Sequence, residues 1–448
     1  MTKDMKRYIK NIMLFAAAAL AFASCEDYPD AFELADGVPT VNYVRYADRD
    51  VLIEQAYMGE IVCFVGENLC SVRELFFNDQ KAVLNTSFIT DNTLIAAVPG
   101  NLPAVKTDKV YMITKAQDTV AVDFKVMLPA PQLKSMSCEF QQPGTDVTIY
   151  GNYFAEPMTV TFEDGNGSVV TSFKSISMTE ATFTIPADAK PGKVRVETES
   201  GLARSPFEYF DTRGMLFDFD DDGDAALVTN DENNWHDCKF GTEGGLDGRY
   251  VQFGDGTTVL EDVSWLDGLY VFEYWCGSWD TPQNITSGMG PALYNLVDFT
   301  EFSSMVLKFE MCIPAETPWM ACAMQIAFQP ITQVTVSGNP VDGYDTVGAA
   351  NAHIFNNEDE KGVFGNWARA MYRPWEATGS YDTGGKWVTV TVPISEFTYN
   401  KDGGAATMSM GSYKDFASLT MFVLGGGVAG TKCTPIIKID NIRAVPAK

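Results

Sequence analysis

A strand predicted from Trp319 to Gln329 carries the residue types that bind sugars. Successive side chains of a strand point to opposite faces, so one face would hold only Met, Cys, Ile and Phe. The other face would hold Trp319, Gln325 and Gln329 among three alanines. An aromatic ring stacks on the C–H patches of a sugar, and amides hydrogen-bond its hydroxyls. The pattern fits equally well if another loop covers this face of the sheet and Trp319 is an ordinary core residue.

The tryptophans are confined to the second half of the chain, where all eight lie between residues 235 and 387. Several fall in a Gly/Ser/Asp turn or in a long irregular segment, residues 342–386, rather than in a strand. Such rings are hard to explain by core packing, and long loops usually carry function. The candidate sugar-binding residues are Trp275, Trp279, Trp319, Gln325, Gln329, Trp367, Tyr372, Arg373 and Trp375.

The first 24 residues predict a secretory signal peptide. Four Lys and Arg residues precede an apolar run, residues 12–22, that is too short to span a membrane. The ending Ala-Phe-Ala-Ser-Cys resembles a bacterial lipobox, so we expect Cys25 to be lipidated; the alternative is a conventional signal with Cys25 incidental. The acidic stretch 26–30 resembles the surface-export signal of Bacteroides-group lipoproteins. This implies a protein anchored to the outer membrane and exposed at the cell surface.

Charge and cysteine pattern exclude several classes of function. The formal net charge of −27 predicts a surface that repels nucleic acid. The nine cysteines are scattered without a close pair, and neither of the two histidines lies at zinc-ligand spacing to such a pair. We therefore expect no metal site built from these residues and no cofactor.

An acidic run from Asp218 to Asp224 begins like the calcium loop of an EF-hand. The twelfth position is Thr229 rather than Glu, so the usual bidentate ligand is missing. The run is either a structural calcium site or a solvated acidic turn, and the missing glutamate favours the turn.

Short alternating strands separated by Gly, Asp, Asn and Pro predict an all-β chain. Residues 38–128 and 129–211 repeat one order of strands, in which Gly66 and Gly151 each end a hydrophobic strand. This order resembles the Ig-like IPT/TIG repeat. We therefore predict two tandem Ig-like sandwiches that act as spacers, preceded by a flexible leader at residues 25–37.

Residues 212–448 have the length of one larger, jelly-roll-like β-sandwich. The strand from Trp387 to Pro393 and the ending Ile-Asp-Asn-Ile-Arg at residues 439–443 resemble jelly-roll carbohydrate-binding modules. The full order of lipobox, two IPT-like domains and tryptophan-rich sandwich is similar to the B-type surface glycan-binding proteins of Bacteroides polysaccharide-utilisation loci.

That resemblance implies a monomeric, non-catalytic protein that captures a β-glucan, namely xyloglucan, mixed-linkage glucan or β-1,3-glucan, on an aromatic platform. It also implies transfer of the glycan to a TonB-dependent uptake complex of the SusC/SusD type. The positions that best match the platform are Trp279, Trp319 and Trp375. Pro318 stands where the family has a tyrosine before the ring, so the glycan preference stays open.

Two other functions are compatible with this sequence. A glycoside hydrolase on the same sandwich needs two carboxylates that flank one bond, but no Glu-x-Asp-x-x-Glu run occurs. With two histidines and no Gly-x-Ser-x-Gly, a hydrolytic triad is not expected either, so we predict that the protein is not an enzyme. A non-glycan adhesin or scaffold would have its tryptophans buried in the core.

Overall fold

The computed structural model describes residues 36–163, 167–220, 236–261, 268–274, 291–330 and 366–447. The predicted signal peptide, Cys25, Trp275 and Trp279 lie outside these residues. The chain divides into two compact units, Met1–Ala130 and Pro131–Lys448. We call residues 36–130 the N-terminal domain, 131–211 the central domain and 212–447 the C-terminal sandwich; the last two belong to the same unit.

The N-terminal domain is a β-sandwich. Its strands are β1 Thr40–Tyr46, β2 Gln55–Tyr57, β3 Ile61–Glu67, β4 Val72–Phe77, β5 Gln80–Lys81, β6 Thr93–Ala97, β7 Lys109–Thr114, β8 Thr119–Asp123 and β9 Lys125–Met127. They form sheets of order β1-β3-β6 and β5-β4-β7-β8, and β2 pairs with β9 in parallel. A single apolar core that includes Phe64, Phe77 and Phe124 fills the space between the sheets.

The central domain repeats this topology. Its strands are β10 Gln132–Met136, β11 Asp146–Asn152, β12 Met158–Phe162, β13 Ser168–Val170, β14 Ser175–Ile176, β15 Glu180–Thr184, β16 Gly192–Thr198 and β17 Gly201–Tyr209. They form sheets of order β10-β11-β15-β14 and β13-β12-β16-β17. The all-β, Ig-like prediction is thereby confirmed.

Gly66 and Gly151 occupy equivalent positions in the two Ig-like domains. Next to the glycine, β1 shifts register against β3 in the N-terminal domain, and β10 shifts register against β11 in the central domain. A Cβ at Gly66 would lie 1.8 Å from the Thr40 carbonyl oxygen, and one at Gly151 would lie 1.9 Å from that of Gln132. Only glycine permits this close approach of two backbones, which explains why both copies carry it.

The C-terminal sandwich contains two sheets. Its described strands are β18 Met215–Phe217, β19 Lys239–Gly241, β20 Tyr250–Phe253, β21 Val271–Tyr274, β22 Met305–Cys312, β23 Met324–Gln329, β24 Ala370–Tyr372, β25 Trp387–Pro393, β26 Ser418–Val423 and β27 Ile437–Pro446. The six-stranded sheet has the order β19-β20-β27-β22-β25, with β18 also paired to β27. The four-stranded sheet has the order β21-β26-β23-β24.

Helical structure in the described residues is limited to short segments. The 3₁₀ turns are Leu69–Ser71, Thr86–Phe88, Gly268–Tyr270, Leu293–Asn295, Phe302–Ser304, Ile394–Glu396 and Tyr413–Asp415. None of the helices found there combines the length and the hydrophobicity that a membrane crossing requires.

The alternation predicted for β22 is confirmed. Met305, Leu307, Phe309 and Met311 belong to the sandwich core, which lies between the two sheets. Lys308 and Glu310 point to the opposite side, yet both are buried. They are buried because the central domain packs on that outer face of the six-stranded sheet.

Four charged side chains meet at this junction, and we call them the interdomain charge cluster: Glu139, Lys308, Glu310 and Arg443. Glu139, from the central domain, accepts from Lys308 Nζ at 2.6 Å and from Arg443 Nη2 at 2.8 Å. Arg443 Nη1 also donates to Glu310 Oε2 at 2.7 Å. Although burial disfavours the charged guanidinium, the two carboxylates outweigh it and raise the pKa of Arg443.

Apolar side chains surround the interdomain charge cluster. They form a separate small core that comprises Cys138, Phe140, Leu246, Tyr250, Cys312 and Trp387. The guanidinium of Arg443 also lies 4.7 Å from the ring centre of Phe140. The central domain is therefore more than the spacer that the sequence suggested, because it supplies a buried counter-charge to the sandwich.

The interdomain charge cluster yields a test. Glu139→Ala leaves Lys308 and Arg443 with less buried negative charge than they need. We expect the free energy of unfolding of fragment 131–448 to fall by about 3–5 kcal/mol. Denaturant titration followed by circular dichroism measures this loss.

The matched control is Lys174→Ala, which removes the partner of Asp146 from a solvent-exposed ion pair of the same domain. Little change in stability is expected there. Equal effects of the two substitutions would contradict the role assigned to Glu139.

Candidate functional site

The four-stranded sheet has one apolar and one polar face. Met324, Ile326 and Phe328 of β23 belong to the sandwich core. On the other side, Gln329 of β23 lies opposite Ser418 of β26. Thr420 of β26 is paired with Ala327 of β23 on one side and with Glu273 of β21 on the other. Directly paired residues share a face. We call the buried polar set on this side the polar face, which comprises Glu273, Gln325, Gln329, Arg369, Ser418 and Thr420.

At one end of the polar face, Gln325 is held by three hydrogen bonds. Its amide nitrogen donates to the carbonyl oxygens of Leu424 at 2.7 Å and Lys401 at 3.1 Å. Its amide oxygen accepts from Arg369 Nη1 at 2.9 Å, and Arg369 Nε donates to the Trp367 carbonyl at 3.1 Å. Gln325 therefore joins β23 to the loops that follow β25 and β26.

At the other end, an acid and a histidine are paired. Glu273 Oε2 lies 2.8 Å from His236 Nε2, and Gln329 donates to the Thr420 hydroxyl. Buried polar groups need such partners, because each unsatisfied one costs roughly 1–3 kcal/mol. Amides, a guanidinium and a carboxylate are the groups that recognise sugar hydroxyls. Within the described residues these groups hydrogen-bond other protein groups, and these contacts stabilise the sheet and its loops.

The tryptophans that the structure describes in this region are core residues. Trp319, Trp367 and Trp375 are 0%, 7% and 3% exposed. Their indole nitrogens donate to the carbonyl oxygens of Ala321 at 2.6 Å, Phe328 at 2.7 Å and Cys322 at 2.8 Å, respectively. The expectation that Trp319 stands at the end of an open face is therefore wrong. The structure contains the alternative, in which that face is covered and Trp319 is a core residue.

The reason lies in the course of the chain before β23. The prediction assumed one continuous strand from Trp319, but the strand begins at Met324. Trp319 instead forms an isolated bridge with Tyr381, and Cys322 has a positive φ of 64°. This bend breaks the alternation, so both Trp319 and the core-facing Ile326 end up inside the sandwich.

Tyr372 and Arg373 also serve the fold. The ring centre of Tyr372 lies 6.1 Å from that of Trp319, and burial raises the pKa of its hydroxyl above the ordinary value. Arg373 donates to the Gly426 carbonyl and lies 3.2 Å from Glu376. The segment 366–386, predicted to be irregular, thus contains β24 and packs closely on the sheet.

Sequence reasoning missed Glu273, Arg369 and Thr420. A signal for the first was available, because Glu273 stands between Phe and Tyr within a short apolar strand, where a charged residue needs a partner. Nothing in the sequence marked Arg369 as a neighbour of Gln325. Trp275 follows Glu273 by two positions in the sequence, but it lies outside the described residues, as does Trp279.

Comparisons with known proteins agree with this architecture. Residues 209–446 match the family described as surface glycan-binding protein B xyloglucan binding domain, and residues 131–209 match the IPT/TIG domain. The first match alone covers more than half of the chain. The chain therefore belongs to the family of surface glycan-binding protein B, whose members are proteins of the cell surface.

Solved structures of surface glycan-binding proteins are similar to nearly the whole chain. The surface glycan-binding protein PbSGBP-B from Prevotella bryantii is 39% identical, with a TM-score of 0.69 over 93% of this chain and 100% of that chain. SGBP-B from a complex xyloglucan utilization locus in Bacteroides uniformis is more distant. It is 16% identical with a TM-score of 0.43, over 92% of this chain and 100% of that chain.

A curated relative matches over a shorter length. The "IPT/TIG domain-containing protein" of Bacteroides ovatus is 26% identical over 232 residues. This match spans 46% of the present chain and 46% of that relative.

Burial of Trp319 predicts that its removal destabilises the fold. Trp319→Ala creates a cavity and leaves the Ala321 carbonyl without its donor, so we expect a loss of about 3–5 kcal/mol in the free energy of unfolding. Trp319→Phe should lose less, since it keeps an aromatic ring. Denaturant titration of fragment 131–448 measures both, with Val259→Ala at an exposed position as control. Wild-type stability in Trp319→Ala would rule out a core role.

Proposed function

We propose that the protein is a non-catalytic lipoprotein that captures a β-glucan at the outer surface of the cell. The observation that carries this proposal is the family match over residues 209–446, supported by the similarity to PbSGBP-B over nearly the whole chain. The family description names xyloglucan, which we take as the first ligand to test. Mixed-linkage glucan and β-1,3-glucan are the other members of the proposed class.

A neutral polysaccharide fits the charge of the protein. With a formal net charge of −27, the chain gains nothing from anionic polymers and relies on stacking and hydrogen bonding. A β-glucan presents apolar ring faces and equatorial hydroxyls, which these two interactions match. Each aromatic stack contributes about 0.5–1.5 kcal/mol beyond area burial, so binding requires several rings along the glycan.

We assign the stacking role to Trp279 and Trp275. Both stand in the segment Glu-Tyr-Trp-Cys-Gly-Ser-Trp-Asp, whose composition favours a turn at the end of β21. Trp319, Trp367 and Trp375 use their indole N–H groups inside the fold, so we assign them packing roles. Gln325 and Gln329 then support the sheet from the polar face, with Arg373 fixing a neighbouring loop.

The test uses fragment 131–448 rather than the sandwich alone, because Glu139 of the central domain neutralises buried charges of the sandwich. Affinity electrophoresis in gels with xyloglucan, mixed-linkage glucan, laminarin, mannan or starch should show retardation by at least one β-glucan. Trp279→Ala and Trp275→Ala should each weaken binding about fivefold, which corresponds to about 1 kcal/mol, at an unchanged melting temperature.

Three results would count against this function. Absence of retardation in every β-glucan gel would favour the scaffold alternative. Release of reducing sugar, abolished by a single carboxylate substitution, would favour a glycoside hydrolase. Full binding by the Trp275→Ala/Trp279→Ala double variant would leave the function standing but remove these two residues from the site.

Surface anchoring through Cys25 is a separate part of the proposal. Cys25→Ser removes the thiol that would carry the lipid. We expect the variant to lose incorporation of labelled fatty acid and to leave the outer-membrane fraction, while its glycan binding is unchanged. Equal membrane association of variant and wild type would contradict a lipid anchor.

Uptake of the glycan would follow capture. We propose that the anchored protein delivers its ligand to a TonB-dependent complex of the SusC/SusD type, as the resemblance in domain order implies. A protein anchored through Cys25 would reach such a neighbour in the same membrane.

A further inference from the structure

Two tyrosines meet at one end of the four-stranded sheet, each on a 3₁₀ turn. We call Leu293–Asn295 the first turn and Tyr413–Asp415 the second turn. The ring centres of Tyr294 and Tyr413 lie 5.7 Å apart, and their planes are perpendicular, at 90°. Tyr413 is 41% exposed, more than any other aromatic residue in the described part of the C-terminal sandwich, and Tyr294 is half-buried. We call these two residues the tyrosine pair.

Hydrogen bonds hold both turns in place. The backbone nitrogen of Leu293 donates to the Ala417 carbonyl at 3.0 Å, which joins the first turn to the chain just after the second. The Ala417 nitrogen donates in turn to the Gln329 carbonyl of β23 at 3.0 Å. Within the second turn, Asp415 Oδ2 accepts from the backbone nitrogen of Ser412 at 2.9 Å. The tyrosine pair therefore stands on main chain that is fixed to the sheet.

A group of phenylalanines anchors the second turn to the core. Phe416, the residue after this turn, stacks on Phe299 with ring centres 4.4 Å apart and an angle of 11° between the planes. Its ring centre also lies 4.8 Å from that of Phe328 and 5.0 Å from that of Phe302. Phe416 is fully buried, so the second turn cannot move without opening the core.

The tyrosine pair lies at the end of the sheet where β21 finishes. Tyr274, the last residue of β21, is paired with Leu419 at the start of β26, and the second turn precedes β26. The Tyr274 hydroxyl donates to the Pro291 carbonyl at 2.7 Å, and the first turn follows Pro291. Trp275 and Trp279, to which we assigned the stacking role, follow β21 in the sequence.

An exposed ring on so firm a support is suited to stacking on a ligand. Single exposed apolar residues are ordinary on a protein surface. Here core packing accounts for Phe416 but leaves the nearby Tyr413 exposed, whereas the described tryptophans of the sandwich are at most 8% exposed. A ring whose orientation is fixed before binding loses little conformational entropy when a sugar stacks on it.

We propose that the tyrosine pair is a further sugar subsite, which holds one glucosyl unit of the β-glucan; this inference rests on the proposed function. The sugar stacks through its C–H face on one tyrosine ring. Because the two ring planes are perpendicular, they form a corner rather than one flat platform. The second ring therefore limits the sugar sideways, and the subsite takes a single sugar unit rather than a run of stacked units.

The test measures the dissociation constant of the whole protein for xyloglucan, by affinity electrophoresis over a series of xyloglucan concentrations. Mixed-linkage glucan or laminarin replaces xyloglucan if the wild type prefers it. Tyr413→Ala and Tyr294→Ala should each weaken binding about fivefold, and Tyr413→Ala should keep the wild-type melting temperature. Tyr413→Phe should bind like the wild type, because stacking needs the ring and not the hydroxyl. Tyr150→Ala, which removes a 37% exposed tyrosine of the central domain, is the matched control and should also bind like the wild type.

The outcomes separate the subsite from the function. If the wild type binds and Tyr413→Ala binds equally well, the subsite is overturned and the function stands. Full binding together with a lower melting temperature would show that the tyrosine pair only packs the two turns together. Tyr413→Phe as weak as Tyr413→Ala would contradict stacking. A wild type that binds none of the three β-glucans would remove the proposed function, and the subsite with it. If Tyr294→Ala fails to fold, the exposed Tyr413→Ala decides the result.

Discussion

The guanidinium of Arg443 cannot stay buried without negative charge beside it, and the unit Pro131–Lys448 is arranged around that requirement. Glu310 supplies one carboxylate from the neighbouring strand, and Glu139 supplies the other from the central domain. The backbone nitrogen of Glu139 also donates to the Thr389 hydroxyl at 2.7 Å, which fixes the main chain that carries the acid. An Ig-like domain and a sandwich thereby form one compact unit.

The same constraint acts on the other outer face of the sandwich. Each sheet has an apolar side in the core and a polar side that is also buried, so polar groups on both outer faces need partners inside the protein. On the six-stranded sheet the partners come from the central domain. On the four-stranded sheet they come from loops that donate and accept through Arg369, Lys401 and Leu424. Trp319, Trp367 and Trp375 belong instead to the sandwich core, where their indole N–H groups donate to backbone carbonyls.

Much of the architecture was readable from the sequence, because it depends on local patterns. Alternating apolar residues fix the strands, turn residues separate them, and Gly66 and Gly151 mark the same close backbone contact in two repeats. The acidic composition predicts a surface that repels nucleic acid, and the order of motifs led to the family that the comparisons then identified. Strand, turn and glycine patterns are local, and composition and motif order can be read along the chain, so no tertiary information was needed.

Only the tertiary structure decided what covers each face. Alternation divides the side chains of a strand into two sets, but it does not say whether the second set meets solvent, a loop or another domain. Hence the pattern of Trp319 and Gln325 fitted an open platform as well as a face covered by a loop. The bend at Cys322 and the surrounding loops decided between the two. Glu139 and Arg443, 304 positions apart, form their ion pair through domain packing alone. Asp247 and Asn441, 194 positions apart, likewise form a hydrogen bond because β20, which follows Asp247, pairs with the last strand β27.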